Sequence, residues 1–161
     1  MHKKIRYFGA RCSPDQASYK NIPNLGRVEI IAINADMVFG SVHLDSAVEH
    51  AARSFERGKN VARNLGVEIM RYASGERQIS AAIDKMGAKP DTRRLVFLII
   101  GDCDIDRILK ELHLERDERL IGGDEKDPEK FGITKEELET VPKEKQNDLV
   151  LERVALVNLE K

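Results

Sequence analysis

Apolar positions along the chain switch between two periods, and the switches mark the elements. Lys3 to Ala10 alternates loosely through Ile5, Tyr7 and Phe8, which predicts a strand ending at Gly9. Cys12 to Gly26, punctuated by Ser13-Pro14-Asp15 and Ile22-Pro23-Asn24, predicts a loop with one helical turn after Pro14. The Val- and Ile-rich stretch Arg27 to Asn34 predicts a second strand, paired with the first. Helical spacing takes over next. Asp45 or Ser46 is placed to cap a helix with Val48, Ala51, Ala52 and Phe55 on its apolar side and Gly58 at its end. A second helix is expected over Asn60 to Ala73, apolar at Ala62, Leu65, Ile69, Tyr72 and Ala73. Asn60, Arg63, Asn64 and Arg71 fall on its opposite side, and Gly66 weakens its interior. Ser74-Gly75 closes that helix. A third begins at once, with Ile79, Ala82, Ile83 and Met86 inward and Gly87 just past its end.

The later half alternates the two patterns again. Arg94 to Gly101 holds six consecutive apolar residues bounded by charge and glycine, the pattern of a strand covered on both faces. Asp104 caps a helix with Ile105, Ile108, Leu109 and Leu112 inward. Glu115 to Gln146 is highly charged and broken by Gly122-Gly123, Pro128 and Pro142, which predicts partial mobility. Within it, Thr134 and Glu137 form a capping box for a short helix. Asn147 to Lys161 suits either one helix or a short helix leading into a strand at about Val154 to Leu159, and Ala155-Leu156-Val157-Asn158-Leu159, which resembles an inner strand, favours the second. The fold class is therefore α/β: one domain over residues 1–161, with a small mixed or antiparallel sheet and a central group of helices.

Composition narrows the function classes. The six-residue run is far short of the roughly 20 apolar residues a membrane span needs. Basic residues near the N-terminus are followed by no apolar stretch of the kind a signal peptide carries. Cys12 and Cys103 stand far apart without a CxxC pairing, which fits a reducing, cytoplasmic location. The net charge is only −1, yet residues 53–94 carry ten basic and five acidic side chains, whereas residues 95–161 carry 11 and 18. A basic middle on an acidic protein suits an acidic partner such as nucleic acid, and it equally suits a solvated charged face.

Catalytic and metal motifs fail on inspection. Asp102-Cys103-Asp104-Ile105-Asp106 resembles the start of a calcium loop, but Arg107 replaces the obligatory glycine and His113 the closing glutamate. Gly58-Lys59 is not a phosphate loop, because Arg53 stands at the first glycine and Asn60 at the magnesium-binding hydroxyl. The histidines His2, His43, His50 and His113 lack metal-ligand spacing, and no hydrolase nucleophile motif occurs. No cofactor, metal or small-molecule substrate is expected, and the chain reads as a binding protein rather than an enzyme. One segment, Lys59 to Ile83, gathers polar residues around a helix junction. There Ser74-Gly75 exposes the first N–H groups of the following helix beside Arg71 and Arg77, an anion site by helix-terminus physics. The alternative is that Gly75 turns the chain, Ser74 caps, and the arginines are solvated.

The string Asn60, Glu68 and then Ala73-Ser74-Gly75-Glu76-Arg77-Gln78-Ile79 resembles the motif of the Cgi-type kinase-binding subunit of the KEOPS (EKC) complex. Matches flank it: His43-Leu44, Ala47-Val48 and Ala51 before, Ala82-Ile83 and Gly87 after, and Glu152-Arg153-Val154-Ala155-Leu156 at the C-terminus. The resemblance implies a non-catalytic subunit of the assembly that makes threonylcarbamoyl-adenosine in tRNA. Such a subunit binds and regulates the small atypical protein kinase of the complex and holds the single-stranded CCA end of tRNA. Carried onto this chain, the RNA site comprises Asn60, Arg71, Ser74, Gly75, Arg77 and Gln78, with Lys59 and Arg63 as phosphate contacts. Glu68 and Ile79 suit a structural role as well. The kinase-binding face is expected to be mostly apolar, with no residue assigned. The competing reading is a protein-interaction adaptor with no RNA role.

Overall fold

A computed structural model describes residues 4–13 and 27–158. The loop expected between Cys12 and Gly26 falls almost wholly outside the described residues. The sheet has strands β1 (Ile5–Cys12), β2 (Glu29–Asn34), β3 (Arg94–Ile100) and β4 (Leu114–Arg116) in the order β2-β3-β1-β4, all antiparallel. The expected pairing of the first two strands is corrected, because β3 lies between them. It is the most apolar segment of the chain, and the central place buries both of its faces. Strand β1 also runs past Gly9 to Cys12, where it gains β4 as a second neighbour.

Alternation along β3 creates two cores. Val96, Leu98 and Ile100 face a helical layer, while Leu95, Phe97 and Ile99 face the other side with Phe8, Ala10 and Cys12. Phe8 and Phe97 are paired across the strands and stack with centroids 5.3 Å apart. One helix, α4 (Ile105–Glu111), packs on this second side through Ile105, Ile108, Leu109 and Leu112, as its spacing predicts. Asp104 caps it by accepting the Asp106 N–H, which is the ordinary reading of that carboxylate cluster.

The helical layer on the first side is built by α1 (Ser41–Glu56), α2 (Leu65–Ser74), α3 (Ile79–Met86) and α7 (Asp148–Leu156). Helix α1 starts after Gly40, earlier than the Asp45 or Ser46 cap expected, so that Leu44 and Ala47 join Ala51 in the core. Helix α2 starts at Leu65 rather than Asn60, and the intervening residues form an irregular loop. Helix α3 keeps Ala82 and Met86 inside but leaves Ile83 42% exposed. The C-terminal segment is helix α7 and not a strand: Leu149, Val150, Val154 and Val157 recur at helical spacing and enter the helical core.

The charged region between β4 and α7 is ordered by small contacts. It contains α5 (Pro128–Phe131) and α6 (Lys135–Leu138), the latter with the Thr134–Glu137 capping box. Leu120, Ile121, Phe131 and Ile133 insert into the helical core. Lys126 ties the region down by donating to the carbonyls of Ala35, Val38 and Leu120 at 2.7–2.8 Å. The segment expected to be partly mobile thus contains capped helical turns and buried apolar anchors.

Candidate functional site

The candidate residues sit on two loops at either end of α2, and α2 itself holds both. The first loop leaves α1 through Gly58, whose φ of 64° lies in the left-handed region. Its N–H donates to Phe55 O, while Lys59 N–H reaches back to Ser54 O, a closure in which the helix's last carbonyls find donors. The second loop leaves α2 through Gly75, with φ 74° and the same pair of bonds: Gly75 N–H to Tyr72 O and Glu76 N–H to Arg71 O. Gly75 thus does turn the chain. Helix α3 then starts after Gln78, with no side chain capping its first turn.

Glu68 organises the first loop. Its carboxylate is 0% exposed and accepts from the Val61 and Ala62 backbone N–H groups, from Ser54 Oγ at 2.7 Å and from Arg71 Nε at 3.0 Å. Burial alone would raise its pKa. The hydrogen bonds from Arg71, Ala62 and Ser54 together outweigh that and hold the carboxyl below its usual range. Arg71 in turn organises the second loop, donating from Nη1 to Arg77 O at 2.8 Å. One buried ion pair therefore fixes the backbone on both sides of α2.

This arrangement divides the eight sequence-predicted residues. Arg71 is only 3% exposed and Ser74 is 0% exposed, so neither presents its side chain to solvent. The expectation that they form part of the contact surface is corrected: Arg71 is held by Glu68 and Arg77 O, and Ser74 Oγ donates to Arg71 O and accepts from Glu76 N–H. Lys59, Arg63, Arg77 and Gln78 are exposed, while Asn60 and Gly75 are half-buried. Asn60 already uses its amide nitrogen to donate to Ala62 O, so its oxygen is what it has to offer a ligand. No described carboxylate lies within ion-pairing distance of Lys59, Arg63 or Arg77.

The junction is closed from below. Lys85 donates to Ser74 O at 2.6 Å, pairs with Glu76, and sits 3.8 Å from the centre of the Phe131 ring. His43, buried on α1, accepts the Phe39 N–H at Nδ1 and donates from Nε2 to Ala73 O, so it is a neutral core histidine. Burial pushes its pKa down to about 4. Two residues that the sequence reading left unassigned also lie near the site: Arg53 and Arg57, one turn apart at the end of α1 beside Lys59. Their only sequence signal was the excess of positive charge in the middle of the chain.

No helix among the described residues is long and apolar enough to cross a membrane. A model of the family described as kinase binding protein CGI-121 matches residues 20–158. Regulatory protein Cgi121 of Methanocaldococcus jannaschii is 34% identical over 108 residues, which cover 61% of this chain and 70% of that protein. The family model, which spans most of the chain, and the similarity to Cgi121 lead to one conclusion: the chain belongs to the CGI-121 family of kinase-binding proteins.

Proposed function

We propose that this chain is the non-catalytic subunit of the KEOPS complex that binds and regulates its small atypical protein kinase. In the same assembly it holds the CCA end of tRNA during threonylcarbamoyl-adenosine modification. The kinase partner rests on family membership. The RNA role rests on one observation above all: Lys59, Arg63 and Arg77 stand exposed, with no carboxylate partner among the described residues, on two loops locked in place by the buried Glu68–Arg71 pair.

Preorganised loops suit a single-stranded ligand, because the protein then loses little conformational freedom on binding. Arg63, Lys59 and Arg77 supply charge for phosphates, while Gln78 and Asn60 supply amide edges for unpaired bases. Arg71 and Ser74 act beneath the surface as supports. Arg77→Glu is expected to weaken tRNA binding strongly at moderate salt and to leave the melting temperature within a few degrees of the parent. Unchanged tRNA affinity in that variant would remove Arg77 from the RNA site, and no measurable tRNA binding by the parent would leave the reading of a protein-interaction adaptor without an RNA role.

A further inference from the structure

Beyond the loop that carries Lys59, the end of α1 and the end of α7 frame an open cavity of about 520 Å³. Its lining includes His50, Arg53, Ser54, Arg57, Lys59 and Asn158. Three cations therefore converge on one space, and no acidic residue is among its described lining residues. None of the three has a described carboxylate within ion-pairing distance. Two arginines four residues apart on a helix repel each other, and a helix C-terminus offsets only part of that cost. An anion in the cavity would offset the rest.

The wall is also prepared to hold the charges in place. His50 stacks on the buried Tyr72 ring with centroids 5.4 Å apart and an interplanar angle of 17°. Arg53 Nη2 lies 3.4 Å from His50 Nδ1, the distance and direction of a guanidinium donating to a neutral imidazole. Ser54 is tied to Ala51 O and to Glu68, so the cavity shares its floor with the carboxylate that fixes the Lys59 loop.

We propose that this cavity is a phosphate-binding pocket, and that it takes a backbone phosphate of the RNA strand whose end lies on the Lys59, Arg77 and Gln78 surface. The inference rests on the RNA reading above. Lys59 links the two places, since it belongs to the exposed loop and also lines the cavity. The described lining brings three cations, the Ser54 hydroxyl and the Asn158 amide together, donors that suit the anionic oxygens of a phosphodiester.

The test is a salt titration of tRNA binding to the full chain, comparing the parent with Arg53→Gln, Arg57→Gln and, on the far side of the sheet, Lys110→Gln. Circular dichroism would verify that each is folded. Loss of one single-strand phosphate contact lowers the slope of log affinity against log salt by about 0.7. Both pocket variants are expected to show that drop and a several-fold loss of affinity at low salt, while Lys110→Gln keeps the parental slope. A parental slope in the pocket variants, with Arg77→Glu still weakening binding, overturns the pocket and leaves the RNA reading standing. Loss of measurable tRNA binding by the parent itself overturns both. Saturable binding of inorganic phosphate that Arg57→Gln removes, without any change in the RNA slope, assigns the pocket to a free anion and overturns the strand assignment.

Discussion

Glu68 and Arg71 lie three residues apart on one buried face of α2, joined from Oε1 to Nε at 3.0 Å, and each then reaches a different loop. Glu68 gathers the backbone of Val61 and Ala62, and Arg71 gathers the carbonyl of Arg77. The exposed residues proposed to meet RNA are thus displayed by a pair buried beneath them.

Removing one member leaves a buried charge without its partner, which typically costs about 3–5 kcal/mol. Glu68→Gln is therefore expected to lower the unfolding free energy by about that amount in urea denaturation at pH 7. The double change Glu68→Leu with Arg71→Leu is expected to recover much of this stability, because buried ion pairs can be replaced by apolar packing at little net cost. It is not expected to recover tRNA affinity, since Ala62 N–H and Arg77 O lose their anchors. Full recovery of both properties would show that the pair has no positioning role.

Acid should begin to loosen the fold from about pH 6.5 downward, through histidine. His43 has its folded pKa lowered to about 4 from an ordinary 6.5, so the native state binds fewer protons than the unfolded chain in that interval. Its contribution is fully present above pH 6.5 and is lost as pH falls toward 4, amounting to ~3 kcal/mol at about 1.4 kcal/mol per pKa unit. His50, also lowered by burial and by Arg53, acts with the same sign. Glu68, held low by its hydrogen bonds, extends the loss further into acid, below the ordinary carboxyl range. Chemical denaturation at a series of pH values checks this, and His43→Asn should lose most of the slope between pH 6.5 and 4.

The two loop-opening glycines separate backbone strain from crowding. An added Cβ at Gly58 would meet nothing within 4 Å, whereas at Gly75 it would lie 3.1 Å from Arg153 Cβ. Gly58→Ala is expected to cost about 1–2 kcal/mol from its left-handed backbone alone. Gly75→Ala should cost more, because the neighbouring Arg153 backbone and side chain must also shift. Equal costs in thermal unfolding would mean that the contact at Arg153 relaxes freely.

Legibility in the sequence followed how local each determinant is. The central strand was readable because burial on both faces leaves an unbroken apolar run, and α4 because Asp104 and its apolar spacing are neighbours in sequence. The last element was not, since Val154 to Leu156 suits either period until Leu149 and Val150 are seen sharing a core with α1 and α2. Strand β4 is three residues long and exists only because β1 offers an edge. At the candidate site, the motif around α2 picks out a stretch of sequence but not its layering. Glu68 and Arg71 carry the spacing of a helical ion pair, yet only the fold of the two loops over them shows that Arg71 and Ser74 point inward while Arg77 and Gln78 face solvent.

The decisive proposal is that the locked loops hold the unpaired 3′ end of tRNA. Its most direct test is binding of labelled tRNA, intact or lacking its CCA end, to the full chain at moderate salt. A salt-sensitive complex with intact tRNA is expected, with at least a tenfold loss of affinity when the CCA end is removed. Equal affinity for the two RNAs, or no complex with either, would contradict it.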